Sequence, residues 1–174
     1  MIYMVEQDLS DRGRQAAWDA WYLSHMKMPI TIPGIQATQR FAALGEHASP
    51  FVALHEVDGP QVFASGAYRA KAGPGNTGEW RALMVNWHRN VYDGVEHTPD
   101  VSAADRLLVV EDGFEAPVPL IWLIAIGLDK SPARRAIGVA TAAVAENLVG
   151  QPGARVCRPL TPRLMAAQRP AVDQ

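Results

Sequence analysis

Apolar and polar residues alternate in several short stretches of the chain, and this period of two predicts β-strands. The first stretch covers residues 2–7, close to the N-terminus. Two more, at 35–44 and 51–57, are separated by a segment that contains glycine and proline. Because such a segment turns the chain back on itself, the second and third strands are predicted to form a hairpin.

Spacings of three and four residues between large apolar side chains predict helices. One helix is predicted from about residue 11 to 28, where a single face carries Trp18, Trp21, Tyr22, His25 and Met28. Two further helices are predicted at 61–71 and 79–92, followed by a fourth strand at 106–111. The resulting order, β-α-β-β-α-β, is that of a ferredoxin-like unit.

A second and shorter pattern begins after a linker that contains prolines. Residues 120–128 predict a strand, an alanine-rich stretch that opens at Ser131-Pro132 predicts a helix to about 149, and 153–160 predict another strand. The fold class is therefore α+β. The predicted division is a ferredoxin-like unit at 1–112, a linker at 113–119, a partial second β-α-β unit at 120–160, and a tail without regular structure at 161–174.

Length and composition indicate a globular protein that folds without a metal or a disulfide. The chain has 174 residues, 48% of them hydrophobic, and a formal net charge of −2. The longest apolar run, at 118–128, has about eleven residues, whereas a membrane-spanning helix needs about 20. No basic segment followed by an apolar one stands at the N-terminus. Together with the single cysteine, Cys157, these features predict a cytoplasmic protein that does not bind a membrane.

Charge is distributed unevenly along the chain. Residues 1–130 carry a net charge of −6, and residues 131–174 carry +4. The basic end contains no aromatic residue on which a base would stack, so no nucleic-acid partner is expected. A solvated tail or a contact with an acidic subunit explains this basic end better.

Candidate chemistry centres on His25, which shares a helix face with Trp21 and Tyr22. Two interpretations stay open: a histidine that completes the core, or a general acid/base whose imidazole exchanges a proton near neutral pH. The Tyr22 hydroxyl either binds a substrate carbonyl or bonds to the backbone.

Other polar residues are candidates for substrate binding. Arg40 either binds a carboxylate or pairs with Glu56 on the neighbouring strand. His55 is predicted to share a strand face with apolar residues. Two histidines do not make a metal site, and no third ligand has a suitable spacing. The Gly-x-Gly-x-x-Gly match at 73–78 follows a helix instead of a strand, so no dinucleotide cofactor is predicted.

Three segments resemble a known family. Trp21-Tyr22-Leu23-Ser24-His25-Met26, then Ile32-Pro33-Gly34-Ile35 and Arg40-Phe41, are similar to the pattern of EthD-like proteins, and Tyr68-Arg69 is similar to the end of the family's next segment. The resemblance covers about residues 1–112. It implies a dimeric α+β barrel, and hence a homodimer. The reactions of this superfamily include cyclisation, isomerisation, cofactor-free oxygenation and haem chemistry, and some members have no known activity.

The functional hypothesis is a cofactor-independent enzyme of the isomerase, lyase or cyclase type, acting on a hydrophobic compound with a carbonyl or lactone group. His25 and Tyr22 are the candidate catalytic residues. Trp21, Arg40, His55 and Tyr68 are the candidate substrate-binding residues, in a pocket between the first helix and the sheet. Two alternatives remain: a non-catalytic ligand-binding or accessory protein of a catabolic pathway, and a haem-dependent or cofactor-free monooxygenase.

Overall fold

Nine β-strands and three short helices form the described part of the chain, which is residues 1–167 of a computed structural model. The strands are β1 (Ile2–Leu9), β2 (Ile35–Ala43), β3 (Phe51–Val57), β4 (Met84–Asp93), β5 (Asp105–Glu111), β6 (Ile121–Leu128), β7 (Arg134–Thr141), β8 (Ala154–Pro159) and β9 (Leu164–Met165). The helices are α1 (Gln15–His25), α2 (Gly66–Lys71) and α3 (Ala142–Ala145).

Eight of the strands close into an antiparallel barrel. Their order is β3-β1-β4-β6-β7-β5-β8-β2, and β2 pairs with β3 to complete the circle. The short β9 pairs with β2 at Ala37 and Thr38, next to the part of that edge that β8 occupies. Because the barrel is closed, its eight strands leave no long row of unpaired backbone groups.

The two halves of the barrel repeat one strand order. The first half runs β4-β1-β3-β2 across the sheet, and the second runs β8-β5-β7-β6. The first half contains α1 between its first two strands, whereas residues 112–120, all of them described, connect β5 to β6 without a helix. The second half has four strands. The sequence predicted β5, although as the last strand of the first unit, together with β6 and β8, and it missed β7. The strands of one chain close the barrel, so the predicted barrel of two ferredoxin-like chains is not confirmed.

Side chains alternate between the two faces of each strand, so the apolar residues form one core inside the barrel and two cores outside it. All eight strands contribute apolar side chains to one cluster, which therefore fills the barrel; Ile2 and Met4 belong to it. Tyr3 and Val5, at the intervening positions of β1, instead pack outside the barrel against α1 and α2. A third cluster covers the outer face of the second half. The outer face of β1 is thus the floor on which α1 rests.

Charged side chains are buried at one end of the barrel interior. Glu6 is only 4% exposed, and its carboxylate contacts the guanidinium groups of Arg135 at 2.8 Å and of Arg155. Arg135 also binds Glu111 at 2.7 Å. Burial alone raises the pKa of the Glu6 carboxyl, but the two arginines outweigh it, so that its pKa lies below the ordinary value. Two carboxylates thus balance two guanidinium groups.

The predicted helix at 79–92 is wrong. A 3₁₀ turn covers Gly78–Ala82, and β4 follows, pairing with β1 on one side and β6 on the other. A bulge between β1 and β4, where Asn86 has a φ of +47°, interrupts the strand's alternation. Since Asn90, Val91 and Tyr92 are consecutive and all buried, the apolar positions do not show the period of two by which strands are recognised.

The predicted alanine-rich helix from Ser131 to Val149 is also wrong. Eight residues of that stretch, Arg134–Thr141, form β7, and only Ala142–Ala145 are α-helical. Pairing with β5 and β6 outweighs the helix propensity of alanine. The predicted helix at 61–71 is divided into a 3₁₀ turn and α2, which begins where the Ser65 hydroxyl accepts a hydrogen bond from the Tyr68 backbone N–H.

Within the predicted tail, residues 161–167 include β9, and residues 168–174 lie outside the described part of the chain. None of the helices in residues 1–167 is both long enough and apolar enough to cross a membrane. The predicted homodimer remains a prediction.

Candidate functional site

A narrow cleft lies between α1 and the outer face of the first half of the barrel. Its empty space is about 550 Å³ including the open mouth, but only about 50 Å³ admits the centre of a water molecule, so the cleft is a slot. Most of its walls are aromatic or aliphatic, and they include Tyr3, Val5, Gln7, Trp21, Tyr22, His25, Met26, His55, Tyr68, Met84 and Trp87. Apolar walls with a few polar atoms are typical of small-molecule sites.

The local fold places these side chains. Trp18 and Tyr22, one helical turn apart, are buried and fix α1 on the sheet. Trp21 and His25, on the adjacent stripe, are half-buried and face the cleft. Their rings stack with centroids 4.6 Å apart and planes 20° apart. This stacking holds the imidazole of His25 against the cleft wall.

His55 is the second histidine of the cleft, and its ring is held in place on two sides. Its Nδ1 lies 2.8 Å from the Thr38 hydroxyl oxygen, and its ring stacks on Tyr3 with centroids 5.2 Å apart. The Thr38 hydroxyl also lies 3.6 Å from the Met26 sulfur. The hydroxyl donates to Nδ1 in one tautomer of His55 and accepts from Nδ1–H in the other.

Both histidines are neutral at neutral pH. Burial, with a smaller effect from the neighbouring His25, lowers the pKa of His55 to about 3. Burial also lowers the pKa of His25 below its ordinary value of 6.5. Because His25 is half-buried whereas His55 is only 5% exposed, protonation is less costly at His25 than at His55.

The neutral state of His55 makes stability depend on pH. The pKa of His55 is about 3 in the folded chain and 6.5 ordinarily, so between these values the unfolded chain binds a proton that the folded chain does not. The contribution of neutral His55 to the free energy of unfolding is therefore fully present above pH 6.5. It is lost as the pH decreases, by up to about 1.4 kcal/mol per pH unit. Chemical denaturation of the wild type and of His55→Asn between pH 7 and 4.5 measures this effect.

The asparagine variant is the matched control, because its amide can still form a hydrogen bond with Thr38, as donor or acceptor, while the group no longer titrates. We expect the variant to lose less stability than the wild type on acidification. Equal losses in the two proteins would show that His55 is protonated as easily in the folded chain as in the unfolded one.

Two tyrosine hydroxyls meet in the same cleft. The Tyr3 and Tyr68 hydroxyl oxygens are 3.5 Å apart. Burial raises the pKa of Tyr3 well above its ordinary value, and the neighbouring Tyr68 adds to this. Burial likewise raises the pKa of Tyr22, although Arg40 and the Gln7 side chain oppose the shift. Tyr3 and Tyr22 therefore stay protonated and can donate hydrogen bonds to an oxygen atom.

The structure brings five of the six predicted site residues together. Trp21, Tyr22, His25, His55 and Tyr68 all line the cleft, whereas Arg40 does not.

Arg40 lies beneath α1, with its guanidinium 4.4 Å from the ring centre of Trp18 and 4.1 Å from that of Tyr22. It pairs with Asp19 at 2.7 Å, and Glu56 pairs with Arg163 instead. Arg40 thus attaches the helix to the sheet.

Sequence reasoning missed Tyr3, Gln7, Thr38 and Trp87. Tyr3 and Gln7 alternate with Val5 along β1, so these three side chains lie on the outer face of the strand. Placing α1 over that face would have identified them as cleft residues. Trp87 was assigned to a helix and Thr38 to the polar face of β2. Cys157 is buried inside the barrel, where burial raises its pKa to about 11, so it is a core residue and not a nucleophile.

No group of three or more histidine, cysteine or acidic residues in the described part of the chain is arranged to hold a metal ion.

Comparisons with known proteins identify the fold. No protein-family model matches the sequence, and no curated protein matches it either. One similar structure is a protein from Lactobacillus acidophilus NCFM provisionally assigned as a monooxygenase. It has a TM-score of 0.55 and 9% identity, over 95% of this chain and 96% of that one. Another is an anthrone oxidase-like protein, with a TM-score of 0.58 and 8% identity, over 99% of this chain and 96% of that one.

The likeness extends over the whole chain in both comparisons, so it concerns the complete barrel and not one half of it. The chain is thus an α+β barrel protein that shares its fold with both of these proteins. The EthD-like resemblance is not confirmed.

Proposed function

We propose that this chain is a small-molecule enzyme in which His25 removes a proton from a flat, largely apolar ketone that carries an acidic C–H group. The observation that carries the proposal is a neutral, half-buried imidazole facing an aromatic slot. A general base must be unprotonated before it can act, and burial keeps His25 in that form at neutral pH. Stacking on Trp21 gives the ring a fixed orientation.

The hydroxyls of Tyr3 and Tyr68 supply the second requirement. Removing a proton beside a carbonyl places negative charge on the carbonyl oxygen. Two hydroxyl oxygens 3.5 Å apart offer hydrogen bonds to such an oxygen, and bonds to a developing charge in an apolar site are strongly stabilising. His55 stacks on Tyr3 and keeps this wall of the cleft in place.

Dioxygen is the expected reaction partner of the resulting carbanion. The isomerase or lyase reaction expected from the sequence finds no support in the comparisons, whereas both similar structures have names that refer to oxidation. The balanced reaction converts a CH₂ group and O₂ into a C=O group and water. The substrate supplies all the electrons, through a hydroperoxide that loses water. This reaction requires no further reductant.

Anthrone is a suitable test compound, since it is flat and has one CH₂ group activated by a carbonyl across the ring. With purified protein in air, we expect anthraquinone to form faster than in buffer, with one O₂ consumed for each molecule formed. Absorbance and an oxygen electrode measure the two quantities. Binding without conversion would indicate the non-catalytic alternative, and conversion without oxygen uptake would contradict the oxygenation step.

A further inference from the structure

Two buried polar atoms in the cleft wall have no hydrogen-bond partner among the described residues. They are Oε1 of Gln7, which accepts hydrogen bonds, and Nε1–H of Trp87, which donates one. Gln7 is only 2% exposed, and both residues line the cleft. Buried polar atoms in proteins nearly always have partners, so an unpaired acceptor and an unpaired donor in one binding cleft point to a ligand.

The bulge between β1 and β4 brings the two side chains together. Glu6 pairs with His88 and Asp8 with Val85, so that Gln7 alone faces the two residues Asn86 and Trp87. A bulge of this kind redirects a side chain that regular alternation would place elsewhere. Here it directs Trp87 to the side of the sheet on which Gln7 lies.

One unpaired atom is an acceptor and the other is a donor, yet they do not form a hydrogen bond with each other. A hydroxyl group offers a partner of each kind, because its oxygen accepts from an indole N–H while its proton is donated to an amide oxygen. A bare aromatic ring satisfies neither atom. An ether oxygen satisfies only the indole.

We propose that Gln7 and Trp87 form a subsite that binds a hydroxyl group on the substrate, so that the cleft selects phenols over rings without a hydroxyl. This inference rests on the proposed function, which makes the cleft the binding site of a flat compound. It adds the chemical class of that compound and the two residues that determine it. Neither residue takes part in the proton transfer assigned to His25.

Three probes of one ring size test the subsite: 2-naphthol, 2-methoxynaphthalene and naphthalene. Equilibrium dialysis measures the affinity of each for the purified protein. We expect 2-naphthol to bind about tenfold more tightly than either of the others, as is typical for pairing otherwise unsatisfied groups. Equal affinities for the three probes would overturn the subsite, and would indicate that water already satisfies both atoms.

The variants Gln7→Leu and Trp87→Phe remove the acceptor and the donor in turn. Each is expected to lower the ratio between the affinities for 2-naphthol and naphthalene from about ten nearly to one. Trp122→Phe is the matched control, since Trp122 lies on β6 in the other half of the barrel and does not line the cleft. It should leave all three affinities as in the wild type.

A preference for 2-naphthol that survives in both variants would overturn the assignment of these residues. The wild-type comparison stands even if a variant fails to fold. Failure of the subsite proposal can be distinguished from failure of the proposed function. Equal binding of the probes together with anthrone conversion contradicts the subsite alone, whereas no binding of any probe contradicts both.

Discussion

Replacing Glu6 with glutamine is expected to lower the free energy of unfolding by about 3–5 kcal/mol. The change removes the carboxylate that neutralises Arg155 and leaves that guanidinium charged inside the barrel, at 5% exposure. Arg135 loses one of its two carboxylates and retains Glu111. Arg155 keeps its hydrogen bond to the Ser49 carbonyl at 2.8 Å, but that oxygen is neutral, and a buried charge without a counter-charge is costly. Urea denaturation monitored by circular dichroism measures the effect.

Glu79→Gln is the matched control for this prediction. Glu79 makes an ion pair with Arg14 at 2.8 Å, but both side chains are largely exposed. Such surface pairs contribute at most about 1 kcal/mol, so the control should differ little from the wild type. If Glu6→Gln were no more destabilising than Glu79→Gln, the buried carboxylate would not be what compensates the two arginines.

Replacing His25 with alanine is expected to lower turnover of anthrone roughly 10²–10⁴-fold, which is the usual contribution of a general base. The melting temperature should change little, because the imidazole is half-buried and packs mainly against Trp21. Steady-state kinetics in air and a thermal melt measure the two quantities.

His88→Ala is the control for general effects of losing a histidine. His88 is exposed on β4 and does not line the cleft, so this variant should retain wild-type turnover. Full turnover in His25→Ala would contradict the assigned role. A large loss of stability in that variant would instead identify His25 as a core residue.

The first half of the fold was largely predictable from the sequence. The strand Phe51–Val57 has the predicted bounds, and β1, β2 and α1 differ from prediction mainly at their ends. The helix α1 has one buried face, which gives its apolar residues a period of 3.6. The strands β1 and β3 are buried on both faces, but they are short apolar runs bounded by turn residues, which is itself typical of buried strands.

In the second half the sequence likewise predicted three of the four strands, β5, β6 and β8, and it missed β7 because the contacts of that strand are long-range. β7 is composed of residues with good helix propensity, such as alanine and arginine, and becomes a strand only because β5 and β6 lie on either side of it. Residue pairs that are distant in sequence, such as Glu6 with Arg155, fix how the barrel closes. No local pattern contains that information.

The cleft was predictable only where its residues share one element. The periodicity of α1 grouped Trp21, Tyr22 and His25 correctly, since they share one helix. The role of Arg40 depended on whether Asp19 or Glu56 would lie closer, which the strand pattern alone did not decide. Gln7 and Trp87 meet at a bulge, a feature that a one-residue change of register creates and that the alternation of β1 did not indicate.

Exchange of the CH₂ protons of anthrone for deuterium tests the central claim, proton removal by His25, most directly. In deuterium oxide without oxygen, the carbanion can only be reprotonated, so NMR reports proton removal separately from oxidation. We predict that the wild-type protein accelerates the exchange at neutral pH and that His25→Ala does not. Exchange no faster than in buffer, or equally fast in the variant, would contradict the assignment of His25 as the base.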